Sequence, residues 1–331
     1  MMEFALANKH QAKPFMRWGR EQNAVSKYPG AASNESGRGG IRLTILSIRH
    51  ETVYHFDNPV SLNPHRLMLR PRESRDLRVL SNVLRLTPLA GMTWAQDVFG
   101  NSVVMANFTA MTDRLVIESS SQVELTLTPW PIFPIAASAI SYPFRYTDDE
   151  WADLGALVMP QYNEAGSAVR NWARSFVAGT PTDTLSLLKD LNSGVTQRIR
   201  YEARDAEGTQ TPDDSLQLGI GSCRDMATLL LEAARHLGFG GRIVSGYLYD
   251  PDMTSVGSAG SGSTHAWAEI YIPGAGWITF DPTNQSVGGH NLIPVAVARD
   301  IRQVMPVSGS YAGSTHSGTG MTVEVNVSAA G

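Results

Sequence analysis

The chain contains one cysteine, Cys223. It lies in Gly219-Ile220-Gly221-Ser222-Cys223-Arg224-Asp225, just ahead of Met226, Leu229, Leu230, Ala233 and Leu237. That apolar spacing reads as one face of a helix that closes at Gly238. The glycines allow a tight turn before the helix and so predict Cys223 at or near its N-terminus. Unpaired N–H groups and the positive end of the helix dipole favour thiolate over thiol there. A thiolate is the nucleophile of covalent catalysis. A buried structural cysteine is the alternative. His265 opens a strand-like run and Asp281 ends another. An imidazole can take the proton of a thiol and return it to a leaving amine, and a carboxylate can fix the imidazole's tautomer and orientation. The chain offers one candidate for each role.

Strand register constrains this reading. Pro273-Gly274-Ala275-Gly276 turns between the two runs, which predicts a hairpin. If all four residues form the loop, Ile272 faces Trp277 and position 281 faces 268. Side chains alternate along a strand, so His265 and Asp281 would then lie on opposite faces. A working pair therefore requires a one-residue shift, with Tyr271 opposite Trp277.

The elements around this set divide the chain. Residues 1–40 carry mixed charge and end in a Gly/Ser-rich stretch, GAASNESGRGG, which reads as a disordered tail, with a basic targeting arm as the alternative. Residues 41–130 hold short β-branched runs such as LTILSIRHETVYHF and LVIESSSQVELTL, punctuated by Pro, Gly, Asn and Asp. They predict an antiparallel β-sandwich, with FGNS (99–102) as a turn. Residues 131–148 are a Pro-rich linker. Helical signals follow: a capping-box pattern at Thr147 and Glu150, a face of Val169, Trp172, Ala173, Phe176 and Val177, and another of Leu185, Leu188, Leu191 and Val195. Thr211, Pro212 and Asp214 read as N-cap, first helical position and acidic third position. Strand-like RIVSGYLY, HAWAEIYI and WITFDPT come after. The second unit, 149–300, is thus α+β, with helices packed on an antiparallel sheet. Residues 301–331 form an extension whose last strand, TVEVNV, could join either unit.

Composition limits the function classes. Lys plus Arg is 27, Asp plus Glu is 31, and the formal charge is −4, which disfavours nucleic acid as a partner. A single cysteine excludes an intramolecular disulfide framework and any multi-cysteine metal site. The eight histidines show no ligand spacing, and Asp250 with Asp252 makes a weak calcium candidate. No apolar run approaches a membrane span and no secretory h-region opens the chain, so the expected location is cytoplasmic, without a membrane partner.

GSCRDMATLLLEAARHLGFGGRIVSGYLY followed by THAWAEIYIPGAGWITFDPTN resembles the bacterial transglutaminase-like family of papain-like cysteine enzymes. IRHETVYHFDNPVSLNPHRLMLRPR and DVFGNSV resemble the group's β-rich N-terminal domain, and VARDIRQVMPVSGSYAG resembles its trailing motif. That motif usually reads Gly-Arg-Asp-Tyr, against Ala298-Arg299-Asp300-Ile301 here. The resemblance implies a catalytic triad of Cys223, His265 and Asp281, a peptide or protein substrate and no cofactor. It implies acyl transfer through a Cys thioester, most simply resolved by water as a peptidase or amidase. Amine transfer by a true transglutaminase, and a non-catalytic peptide-binding module, are the alternatives.

Other residues take second place. Gln217 lies six positions before Cys223, the spacing of an oxyanion-hole glutamine in papain-like proteases; a solvated helix residue is the alternative. Trp267 shares the strand face of His265 by period two and either lines the cleft or joins the core. Asp225 reads as a helix cap, and Tyr247 is a cleft candidate. DPDMTSVGSAGSGS (250–263) is either a flap or a plain loop. Arg66, Arg70, Arg72, Arg75, Arg78 and Arg85 read as a solvated, salt-bridged face rather than an acidic-polymer site. The β domain is also a candidate platform for a protein partner.

Overall fold

The computed structural model describes residues 42–127, 131–162, 168–203, 208–250, 262–313 and 319–330. The expected tail and most of the expected flap lie outside these residues. Six strands come first: β1 (Arg42–Leu62), β2 (His65–Leu67), β3 (Leu77–Thr87), β4 (Ala90–Gln96), β5 (Ser102–Phe108) and β6 (Met111–Leu127). After β7 (Ser141–Tyr142) come α1 (Asp148–Leu154), α2 (Ala168–Arg174), β8 (Thr182–Asp183) and α3 (Thr184–Arg198). Next are β9 (Arg200–Tyr201), α4 (Pro212–Leu218), β10 (Ile220–Gly221) and α5 (Cys223–His236). The antiparallel strands β11 (Gly241–Tyr249), β12 (Gly262–Ile272), β13 (Gly276–Asp281), β14 (Ser286–Val287) and β15 (Leu292–Ala298) follow. The chain closes with β16 (Val307–Ser308), β17 (Tyr311–Ala312) and β18 (Thr319–Ala329).

Two sheets form the sandwich, in the orders β17-β1-β6-β3, with β18 also on β1, and β16-β2-β5-β4. The last strand thus returns to the first unit, running along β1 from Leu46↔Ala329 to Phe56↔Thr319. The third large sheet, β14-β13-β12-β11-β15, backs the helices. Its Ala266, Ala268, Ile270 and Phe280 share one apolar core with Met226, Leu229, Leu230 and Ala233 of α5 and Leu187, Leu188 and Leu191 of α3.

Local signals set the helix ends. The Thr147 amide donates to Glu150 Oε2 at 3.0 Å and the Glu150 amide donates to Thr147 Oγ1 at 3.2 Å. Thr211 Oγ1 accepts from the Asp214 amide at 3.1 Å ahead of Pro212. The apolar period around Val169 runs on to Val177, yet α2 stops at Arg174. Tight turns at Ser175, Phe176 and Val177 end it, and the Phe176 ring occupies the space that a Cβ on Gly194 would need. The expected linker also differs. From Pro131 onward it straps the core: the Ala136 amide donates to Pro273 O, Tyr142 Oη to Leu237 O and Tyr146 Oη to Tyr271 O.

β1 and β6 are 21 and 17 residues long because their inner face serves two partners. One half packs Phe56, Val60, Leu62, Leu115 and Ile117 against Leu67, Val104 and Ala106 of the second sheet. The other packs Leu46, Ile48, Val123 and Leu125 against Tyr247, Ile293 and Val295 of the core sheet. Between the halves lies a buried polar seam of His50, Thr52, Ser119 and Ser121. The His50 ring bonds Thr52 Oγ1 and Tyr247 Oη, each at 3.1 Å. Tyr247, a cleft candidate in the sequence, is instead a buried joint between the two units.

Burial pushes the His50 imidazole down to about 4. Folding therefore holds His50 neutral, and its penalty grows as pH falls from the unfolded value near 6.5 toward 4, reaching on the order of 3 kcal/mol. Thermal midpoints between pH 7 and pH 4.5 should fall less in His50→Gln than in the parent protein. An equal fall in both would contradict this assignment.

Candidate active site

Cys223 is the first residue of α5. Its amide therefore has no carbonyl partner within the helix. The turn before it is held by Asp225, which is fully buried. The Asp225 carboxylate accepts from the Ser222 amide and hydroxyl, both at 2.8 Å, and from the Gln210 amide at 2.7 Å. Asp225 thus fixes the helix start. Gly221 leaves room for it, since a Cβ there would approach the Asp225 side chain at 3.0 Å.

The hairpin takes the register that the chemistry demanded. Tyr271 faces Trp277 and Ile272 faces Gly276. Three residues, Pro273-Gly274-Ala275, form the loop, with φ +83° at Gly274. Ala268 faces Phe280, so the next step sets 267 opposite 281. His265 and Asp281 then lie diagonally on one face, within reach of their side chains. His265 Nε2 bonds Asp281 Oδ2 at 2.9 Å, and both side chains are 1 % exposed.

A turn grips the carboxylate. Thr283 N–H donates to Asp281 Oδ1 and Asn284 Nδ2 to Asp281 Oδ2, both at 2.9 Å. α3 holds the same turn: Asn192 Nδ2 donates to Asp281 O at 3.4 Å, and Thr196 Oγ1 donates to Pro282 O. A carboxylate followed by Pro-Thr-Asn is the sequence pattern of a side-chain-capped turn, a legible signal for Asn284. Asn192 and Thr196 sit on a helix 85 or more positions away, where sequence spacing gives no signal.

Nε2 is committed to the carboxylate, so Nδ1 is the ring nitrogen left for the thiol. Burial pushes the Cys223 thiol up, but the nearby His265, the Ala266 amide and Arg224 together hold it below its ordinary value. Burial pushes the His265 imidazole down, but the Asp281 charge and hydrogen bond, with the thiol's contribution, raise it to about 10. Burial would raise the Asp281 carboxyl, but His265, Asn284 and Thr283 hold it below the usual carboxylate range. The lowered thiol and the raised imidazole both move the pair toward thiolate and imidazolium.

Trp267 is buried and tilts against His265, with ring centroids 6.1 Å apart. It packs with Val244, Leu248, Leu292 and Val297, so it is both core and backing for the imidazole. Gly246 faces His265 on β11. A Cβ there would strike Ile293 O and the Trp267 ring, so glycine is required for this close approach. Gln217 is exposed on α4 and lines a surface depression with Trp172, Arg198 and Asp213. Among the described residues no hydrogen bond joins it to Cys223. Tyr201, which the sequence reading missed, lies beside the thiol: burial and then the Cys223 charge push its hydroxyl up.

The arginine run also resolves into parts. Arg70 pairs with Glu73 at 3.7 Å and Arg75 with Asp76 at 3.2 Å, as a solvated face would. Arg72 departs from that reading. It is half-buried and donates to Phe99 O and Asn101 Oδ1 at the contact between sandwich and core. Asp300 of the trailing motif caps a short turn at Ile301–Gln303, accepting from the Arg302 amide and twice from the Arg302 guanidinium. No helix among the described residues is long and apolar enough to cross a membrane.

Comparison with known proteins agrees with this architecture. An uncharacterized protein of Mycobacterium leprae is 27 % identical over 296 residues, covering 85 % of this chain and 98 % of its own. An uncharacterized protein of Mycobacterium tuberculosis is 28 % identical over 298 residues, covering 84 % and 91 %. A solved structure from Cytophaga hutchinsonii, provisionally named a cysteine protease, superposes with a TM-score of 0.66 at 17 % identity, covering 87 % of this chain and 91 % of that one. At that identity the likeness speaks for the fold. Residues 46–124 match the bacterial transglutaminase-like N-terminal region, and residues 170–282 match the transglutaminase-like superfamily. The chain therefore joins a bacterial transglutaminase-like N-terminal region to a core of the transglutaminase-like superfamily.

Proposed function

We propose that this protein is a cysteine enzyme that hydrolyses an amide bond of a peptide or protein through a thioester on Cys223. The observation that carries the reading is the buried His265–Asp281 bond at 2.9 Å, which leaves Nδ1 of the same ring for the thiol at the start of α5. In this reading the Cys223 thiolate attacks the amide carbonyl and forms the C–S bond. The amide of Cys223 is a donor for the developing oxyanion. His265 gives its proton to the departing amine as the C–N bond breaks, leaving a thioester and a neutral imidazole. The imidazole then takes a proton from water, which attacks the thioester. Carboxylic acid leaves and the thiolate–imidazolium pair is restored. Asp281 keeps the ring oriented and stabilises its charged form in both halves.

Water is the default resolving nucleophile, and the provisional name of the Cytophaga hutchinsonii protein points the same way. The test is product analysis on a peptide library with a labelled primary amine present. Free carboxylate products that disappear in Cys223→Ala support hydrolysis. Label incorporation into the peptides would replace hydrolysis with amine transfer. Wild-type protein that turns over no peptide and forms no acyl adduct would overturn the reading.

A further inference from the structure

The turn Asp97–Asn101 of the sandwich is tied into the core sheet by one fully buried side chain, Asn101. β15 is an edge strand of that sheet, and Val297 presents both its amide and its carbonyl outward. Asn101 meets both: its Nδ2 donates to Val297 O at 2.7 Å, and its Oδ1 accepts from Val297 N–H at 2.9 Å. The side-chain amide thus stands in for one peptide unit of a neighbouring strand. Its remaining capacity is also used. Nδ2 donates to Asp97 Oδ2 at 2.8 Å, and Oδ1 accepts from Arg72 Nη1 at 2.5 Å. Arg72 adds a backbone bond from its amide to Pro294 O at 2.7 Å.

The clamp sits at a particular row of the sheet. Val297 faces Val244 on β11, and Val244 faces Trp267 on β12. Phe99, from the same turn, packs against the cluster of Val244, Leu248, Trp267, Leu292 and Val297. Trp267 in turn backs the His265 ring. Arg242, Glu269 and Asp97 are the charged groups around Arg72.

We propose that Asn101 is a positioning residue: it clamps the Val297–Val244–Trp267 row from the β domain and so holds His265 at the thiol. The sandwich then acts as a fixed part of the site rather than a tethered neighbour. This inference rests on the thiolate–imidazole reading above, and the two can fail separately.

The test uses the whole chain and its single thiol. Alkylation of Cys223 is followed against pH in wild type, Asn101→Ala and Val98→Ala, whose side chain at the same turn is 93 % exposed. Hydrogen exchange reports on β12 and β15. The expected result is that Asn101→Ala folds, loses protection in both strands, and moves the thiol profile upward by about one pH unit, a tenfold loss of rate at mildly acid pH. Val98→Ala should match wild type. If Asn101→Ala does not fold, Asn101→Ser, whose single hydroxyl cannot meet both the amide and the carbonyl of Val297, decides by the same readout. A folded variant with a wild-type thiol profile would overturn the inference while leaving the thiolate reading intact. An ordinary thiol profile in wild type would overturn the thiolate reading itself, and Asn101 would then have no imidazole to position.

Discussion

Replacing His265 with alanine should slow alkylation of Cys223 near pH 6 by about two orders of magnitude. Two effects oppose each other in this figure. Without the imidazolium, burial pushes the thiol upward, away from its depressed position, against only the Ala266 amide and Arg224. An ordinary thiol near pKa 8.5 is only about 0.3 % thiolate at pH 6. The residual thiolate is intrinsically more nucleophilic, which returns part of the loss. At pH 9 the gap should narrow sharply, because both proteins then carry substantial thiolate. Pseudo-first-order rates across this range separate the ionisation effect from a folding defect, since lost accessibility would slow both ends alike. A His265→Ala rate within a factor of three of wild type at pH 6 would mean that the imidazole does not set the thiol's charge.

The second large effect concerns Asp281, and two substitutions should diverge. Asp281→Ala removes the hydrogen bond to Nε2 and leaves the ring without charge support or orientation. Peptide turnover should fall by about three to four orders of magnitude, the scale seen when a triad's orienting group is lost. Asp281→Asn keeps an oxygen that can accept from Nε2–H, so the ring stays oriented. It loses the carboxylate charge, so imidazolium is less favoured and the thiol becomes less acidic. Its turnover should fall by roughly tenfold to a hundredfold, with the acid limb of the pH–rate profile shifted upward. Equal losses in the two variants would indicate that charge alone matters, or that the Asn284 and Thr283 bonds collapse with the carboxylate.

Much of the site was legible because one chemical requirement restricted the geometry. His265 and Asp281 could work together only with an odd loop, and Tyr271↔Trp277 follows from that requirement. Asp225 as a cap and the Thr147 and Thr211 helix starts were readable because these contacts span three residues. The unread parts all depend on distant chain. The return of β18 to β1 pairs residues nearly the length of the protein apart, and alternation in TVEVNV fits any sheet. Tyr247 looked like a cleft residue because strand period gives a face but not what covers it. Asn101 looked like an ordinary turn residue in FGNS, because a side chain that imitates a strand leaves no periodic trace. Which ring nitrogen faces the thiol also required the fold, since it follows from where the Asp281 carboxylate ends up.

The most direct test of the central claim is a pH titration of thiolate ultraviolet absorbance in the wild-type protein, where Cys223 is the only thiol. Cys223→Ser supplies the blank. A thiolate–imidazolium pair predicts a thiolate signal already present at neutral pH and persisting well into the acid range, with its loss moved upward in His265→Ala. A signal that appears only as pH rises through the ordinary thiol range, and that His265→Ala leaves in place, would contradict the account.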